Sequence, residues 1–280
     1  MERKPDTVHG YARGHLDLVR STCLYVATKL GDLLDDIVVV GGLVPSLIID
    51  QASLKEDNQH VGTRDLDLGL QLSLLNEERY RAVSQRLRDA GFSPDETAEG
   101  RLIRQRWQIT PSKDLKVTVD FLISPSSDRD KGGTLRNLES DFAAFIIAGL
   151  RLAFQDRLLV RISGRTIFGE RATREVPVCG PGAFVVLKGL AFNDRGENKD
   201  AYDLYYLLRN FGSGVEDVAS RLRLLRGEAE VEKAIEILRR DFNQHDDVGP
   251  LRVAHFLHGR ADDEVQADVV GFVSALLGRC

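Results

Sequence analysis

Apolar residues recur at helical spacing between residues 12 and 30, where Leu16, Leu18, Val19, Cys23, Val26, Ala27 and Leu30 mark the pattern. Gly31 is placed to end that helix. Asp36-Ile37-Val38-Val39-Val40 follows, a β-branched run that predicts a strand buried on both faces. It stops at Gly41-Gly42, and Leu43-Val44-Pro45-Ser46-Leu47-Ile48-Ile49 reads as the opening of a helix that accepts proline in its first turn. Residues 51–62 are polar and loop-like. From Arg64 to Leu72 apolar and polar positions alternate, which predicts a strand with two unlike faces. A charged helix is expected over 76–90 and a strand over 101–109. A second alternating strand is expected over Lys116–Ile123, closed by Ser124-Pro125. Residues 125–137 read as a Ser/Asp/Gly-rich loop.

Beyond this the pattern is mixed. Arg157 to Gly164 and the stretch near Val176 read as strands, while residues 141–154 fit helix or strand equally. From Gly182 the period becomes helical, over 182–193, 198–210, 215–225, 229–242 and 263–278. The expected fold class is α/β (α+β), an N-terminal mixed sheet with flanking helices followed by an all-α C-terminal region. The loop near Gly180-Pro181-Gly182 sets the expected domains at 1–178 and 179–280.

The 280 residues are 42% hydrophobic and 29% charged, too charged for a membrane protein and too apolar for a disordered chain. The N-terminus has no apolar stretch of the secretory kind and no apolar run reaches membrane-spanning length, so a soluble cytoplasmic protein is expected. Cys23, Cys179 and Cys280 are widely spaced and predict neither a disulfide framework nor a structural zinc site. His255 and His258 have no nearby residues to complete a ligand set. A net charge of −5 argues against a generic nucleic-acid coat but leaves room for a local basic groove.

Candidate chemistry begins with Asp65-Leu66-Asp67 on one strand and Asp120 on another. Residues two apart in a strand share a face. Asp65 and Asp67 therefore project together, away from Leu66, Leu68 and Leu70. Asp120 lies opposite the apolar set Val117, Val119, Phe121 and Ile123. If the strands are neighbours, three carboxylates converge. Their natural counter-ion is Mg²⁺, or the similar Mn²⁺, a hard cation that also takes phosphate oxygens. The alternative is a solvent-facing acidic edge. Gly41-Gly42, between a strand and a helix, suits the approach of a phosphate to the backbone and the helix N-terminus, or equally a tight turn.

Strand-Gly-Gly-helix, Asp-x-Asp on the next strand and a lone Asp on a later one resemble the polymerase β-type nucleotidyltransferase superfamily. The gap from Gly42 to Asp65 is longer than in the tightest version of that motif. Further on, Lys188-Gly189-Leu190-Ala191-Phe192-Asn193-Asp194-Arg195 leads to Asn198-Lys199-Asp200-Ala201-Tyr202-Asp203-Leu204. This pattern, with His60-Val61-Gly62-Thr63-Arg64-Asp65-Leu66-Asp67-Leu68, is similar to the AbiEii/AbiGii family of toxins of type IV toxin–antitoxin and phage-defence systems. The resemblance spans roughly residues 30–210. It implies a catalytic set of Thr63, Asp65, Lys188 and Asp200, with Asp67 as second acid and Asp120 as third carboxylate of a metal site. It implies an NTP held by Gly41, Gly42, Thr63, Arg64, Lys188 and Lys199, with His60 and Arg64 flanking the nucleotide. Asp203 is open between a site role and a structural bond to backbone or arginine.

The resemblance implies NMP transfer from an NTP to an acceptor, with release of pyrophosphate. The 3′ end of tRNA is the acceptor most consistent with the family, and an antitoxin encoded nearby is the expected partner. For RNA, two stretches are locally basic: residues 101–116 (Arg101, Arg104, Arg106, Lys113 and Lys116) and residues 151–175 (Arg151, Arg157, Arg161, Arg165, Arg171 and Arg174). Two other readings remain: transfer to a small molecule of aminoglycoside type or to a protein side chain, and a catalytically silent NTP-binding interaction protein.

Overall fold

The computed structural model describes residues 5–71, 77–112, 115–127 and 130–280. The chain divides into two compact units. A sheet unit collects residues 14–44 and 63–179. A helical unit collects residues 1–13, 45–62 and 180–280.

The sheet unit is built on β1 (Ile37–Val40), β2 (Asp65–Leu70), β3 (Ser93–Glu96), β4 (Leu102–Ser112), β5 (Leu115–Ile123), β6 (Leu135–Asn137), β7 (Ala143–Ile146), β8 (Arg157–Arg165) and β9 (Arg171–Cys179). The strand order is β3-β4-β5-β2-β1-β9-β8, with β7 beside β5 and β6 beside β7. The sheet is mixed: β2 runs parallel to β5 and antiparallel to β1, and β1 runs parallel to β9. Helices α1 (Arg13–Leu30), α3 (Glu77–Asp89) and α4 (Leu150–Gln155) belong to this unit, and the short α2 (Val44–Ile48) begins as the chain leaves it.

The period-2 rule fixes what the central strands bury. Leu66, Leu68 and Leu70 lie opposite Val119, Phe121 and Ile123, and all six are at most 2% exposed. Phe121 meets Trp107 and Phe142 edge-on, with ring centroids 6.2 and 4.9 Å away. The other face of β2 and β5 is not solvated as an alternating strand suggests, because Asp65 and Asp120 are buried as well and Asp67 is half-buried.

The helical unit holds α5 (Pro181–Arg195), α6 (Asn198–Asn210), α7 (Val215–Arg223), α8 (Ala229–Asp241), α9 (Val248–His258) and α10 (Asp263–Leu277). Pro181 opens α5, where its missing N–H costs nothing. A side chain at Gly182 would meet the Arg221 backbone at 2.7 Å, so α5 and α7 approach closely only because that position is glycine. Tyr202 on α6 packs on Phe256 of α9 at 4.7 Å, and Phe192 on α5 on Phe242 at 5.0 Å. No described helix is long and apolar enough to cross a membrane.

Three elements escape the periodicity. β3, of sequence Ser-Pro-Asp-Glu, and β6, inside the expected 125–137 loop, have no apolar alternation and are strands through pairing with β4 and β7. α9 begins Val248-Gly249-Pro250, which reads as a turn, although proline is harmless in a first turn. Residues 141–154 contain both a strand and a helix, divided at Gly149 with φ 75°. Leu72 at the end of the expected β2, residue 76 at the start of the expected helix, Lys113 and Asp114 in the basic stretch, and residues 128 and 129 of the loop lie outside the described residues.

Candidate metal and nucleotide site

In the sheet unit, β2 and β5 place Asp67 directly opposite Asp120, and Asp65 opposite Thr118. One carboxylate oxygen from each of Asp65, Asp67 and Asp120 lies within 4.8 Å of the others. Oxygens in neighbouring positions on one octahedral Mg²⁺ stand about 3.0 Å apart and opposite ones about 4.2 Å, so binding a cation would draw these side chains closer together. Three hard oxygen donors fit Mg²⁺ or Mn²⁺ and are a poor set for a soft metal. Thr63, itself buried, donates its hydroxyl to Asp65 Oδ1 at 2.8 Å and orients that carboxylate. Arg64, between them, is exposed.

The glycine turn is tied to the same acids. Val40 is opposite Asp67, and Gly41 follows with φ 73° in a short 3-10 turn that includes Gly42. A Cβ on Gly41 would stand 1.9 Å from Asp67 Oδ2. Glycine is therefore required twice, for the left-handed backbone and for the closeness of the carboxylate.

Arg106 on β4 lies opposite Asp120. Its Nε donates to Asp120 Oδ1 at 2.6 Å and its Nη2 donates to Oδ2; the same Nη2 is 3.9 Å from Asp65 Oδ2. The hydrogen bond to Asp120, with the charges of Asp120, Asp65 and Asp67, outweighs burial and holds the guanidinium more firmly protonated than usual. The sequence reading placed Arg106 in a basic stretch for RNA, whereas its side chain is committed to the acidic cluster. A signal was available: strands 101–109 and 116–123 are separated by a short polar step, and closing them as a hairpin sets Arg106 against Asp120.

The helical unit contains a buried ion cluster of its own. Lys188 on α5 donates to Asp200 Oδ1 at 2.9 Å and pairs with Asp203 Oδ2 at 2.7 Å. Arg195 makes a two-point contact with Asp200, at 2.6 and 2.8 Å. Lys199 donates to Asp203 one turn on, its ammonium 5.4 Å from the Tyr202 ring centroid. His60 Nε2 lies 2.9 Å from Asp203 Oδ1. Lys188, Lys199, Asp200 and Asp203 are each less than 8% exposed.

Opposed charges decide the protonation states in this cluster. Burial alone would raise the Asp200 carboxyl, but the Lys188 charge and the Arg195 hydrogen bond outweigh it and hold it at about 2. Burial likewise opposes ionisation of Asp203, yet Lys188 and Lys199 keep it well below the usual carboxylate range. Lys188 is desolvated, but Asp200 and Asp203 hold it above the ordinary lysine value. Asp203 is thus the hub that joins Lys188, Lys199 and His60, rather than a bond to backbone or arginine. The His60 contact spans 143 residues and has no local sequence signal.

The structure gathers Gly41, Gly42, Thr63, Asp65, Asp67 and Asp120 in the sheet unit, and Lys188, Lys199, Asp200 and His60 in the helical unit. A family model described as nucleotidyl transferase AbiEii toxin, type IV TA system, matches residues 53–278. The match takes in the three acids and the whole ion cluster, leaves out the Gly41-Gly42 turn and continues through the C-terminal helices. No curated protein matches the chain.

Proposed function

The chain belongs to the AbiEii family of nucleotidyl transferase toxins of type IV toxin–antitoxin systems, and from that premise we propose a metal-dependent NTP:RNA nucleotidyltransferase whose acceptor is the 3′ end of tRNA. An acceptor hydroxyl forms a bond to the α-phosphorus, the α–β bridging P–O bond breaks, and pyrophosphate leaves. Added nucleotides at that end would block aminoacylation and halt translation. In this reading residues 1–178, apart from the 1–13 and 45–62 segments that belong with the helical unit, carry the transferase core and 179–280 the helical domain, in the cytoplasm, with an antitoxin as partner.

The observation that carries the reading is the convergence of Asp65, Asp67 and Asp120 on adjacent parallel strands. These residues would hold Mg²⁺ or Mn²⁺, which supplies Lewis-acid polarisation of the α-phosphoryl and stabilises the leaving pyrophosphate. Thr63 orients Asp65. The Gly41-Gly42 turn leaves its backbone open to a phosphate. Lys188, held protonated, is the cation assigned to the triphosphate; Asp200 fixes its position and, at about 2, is a poor acceptor for a proton. The proton of the attacking hydroxyl passes to the carboxylates of β2 and β5. Arg64 and Lys199 complete the assigned nucleotide contacts.

The test is incubation with labelled NTPs, Mg²⁺ and total tRNA beside Asp65→Ala and Lys188→Ala. We expect label on tRNA for the parent chain and a loss of at least a hundredfold in both variants. Label on a small molecule or a protein in place of RNA would move the acceptor to that class. NTP binding with no transfer to any acceptor would leave a silent NTP-binding protein.

A further inference from the structure

Three carboxylates drawn onto one face of a sheet repel one another before any metal arrives. The structure supplies the counter-charge from within. Arg106 and Asp120 meet through two hydrogen bonds, the fork-to-carboxylate geometry that only arginine offers, and the guanidinium also reaches toward Asp65 at 3.9 Å. Strand register holds it there, since Arg106 and Asp120 are direct partners across β4 and β5. The Asp120 side chain is 8% exposed and that of Arg106 18%, so neither charge is strongly screened by water. With one guanidinium against three carboxylates, the formal charge of the cluster is −2, which a single divalent cation cancels.

We propose that Arg106 is a built-in counter-ion that takes the place of a second divalent cation, so that the sheet unit binds one such ion among Asp65, Asp67 and Asp120, with Arg106 fixing the Asp120 carboxylate beside it. This rests on the metal reading of the three acids given above. Arg106 is then a positioning residue: it sets the number of ions and the tightness of binding without touching the nucleotide. Its planar fork matters as well as its charge, because a lysine would neutralise Asp120 without fixing its plane.

Mn²⁺ titration followed by electron paramagnetic resonance, on the full-length protein without nucleotide, tests this. The parent chain should take up one Mn²⁺. Arg106→Gln should take up a second ion or bind the first about tenfold more tightly. Arg106→Lys should keep one ion. Without metal, Arg106→Gln should melt below the parent, and Mg²⁺ should narrow the gap, because the cation takes over the missing charge. Two ions on the parent chain overturn the proposal whatever the variants do. So does a folded Arg106→Gln with parental stoichiometry, affinity and metal-free melting. Asp67→Asn keeps the two failures apart: if Mn²⁺ binding is unchanged in Asp67→Asn, the metal reading itself falls.

Discussion

His60 is held as a single neutral tautomer. Its Nδ1 accepts the Gly62 N–H at 3.1 Å, so the ring proton sits on Nε2 and is donated to Asp203. Burial, then the Lys199 charge, lowers the ring to about 4 from 6.5, against the pull of Asp203. Lys188 adds to the lowering, and Tyr202 and Tyr206 pack against the ring. A depressed value means that the unfolded chain binds the proton first. The stabilisation is therefore complete above pH 6.5 and is lost as pH falls toward 4. Asp200 has the same sign in a lower window, between 3.8 and about 2. We expect unfolding free energy to fall between pH 6.5 and 4 with a slope approaching about 1.4 kcal/mol per unit. His60→Gln should flatten that slope in urea titrations across this range, and an unchanged slope would assign it to other groups. At this scale the acids were legible: i, i+2 spacing puts Asp65 and Asp67 on one face without knowledge of the fold. The partners of His60 and Arg106 were not, because they are fixed by chain segments far away or by a register that sequence leaves open.

Among elements, the β8–β9 hairpin presents an exposed basic face that could meet the proposed RNA acceptor. Arg161, Arg165, Arg171, Thr173 and Glu175 are exposed on one face, with Arg165 opposite Arg171 and Arg161 opposite Glu175. Ser163 and Thr173 share a hydrogen bond at 3.0 Å across the ribbon. Replacing Arg161, Arg165 and Arg171 by serine should leave folding intact and weaken tRNA binding. The slope of log affinity against log salt should fall by roughly 0.7–0.9 for each phosphate that is no longer neutralised. Fluorescence titrations at several salt concentrations measure this, and an unaltered slope would place the RNA-binding surface elsewhere. The strand 157–164 was readable from its alternation, and so was most of the helical half from its 3.6 period. β3 and β6 were not, because partner strands make them strands where their own residues would not.

For the whole molecule, the long step from Gly42 to Asp65 finds its reason in connectivity. Residues 45–62 leave the sheet unit and are part of the helical one, where Gln51 accepts the His60 N–H at 2.8 Å and Tyr206 donates to Gln51 at 3.1 Å. A polar loop between two strands gives no hint of this, since its partners come about 150 residues later. A fragment of residues 180–280 would keep Asp203 with its lysines and lose His60, Gln51 and Tyr11, whose ring centroid lies 5.5 Å from the Lys199 ammonium. We expect that fragment to show reduced helicity and a broad thermal transition by circular dichroism. A sharp, parent-like melt would show that the C-terminal helices are self-sufficient.

The chain changes unit at residues 13–14, 44–45, 62–63 and 179–180. That interleaving bears on how such genes recombine. A single crossover at residue 179 would hand a chimera all the C-terminal helices but the wrong 45–62 segment beneath them. The histidine that meets Asp203 would then be inherited from a different parent. Viable exchange between relatives therefore needs either the whole reading frame or two matched crossovers, so the two units should share one ancestry rather than travel as separate cassettes.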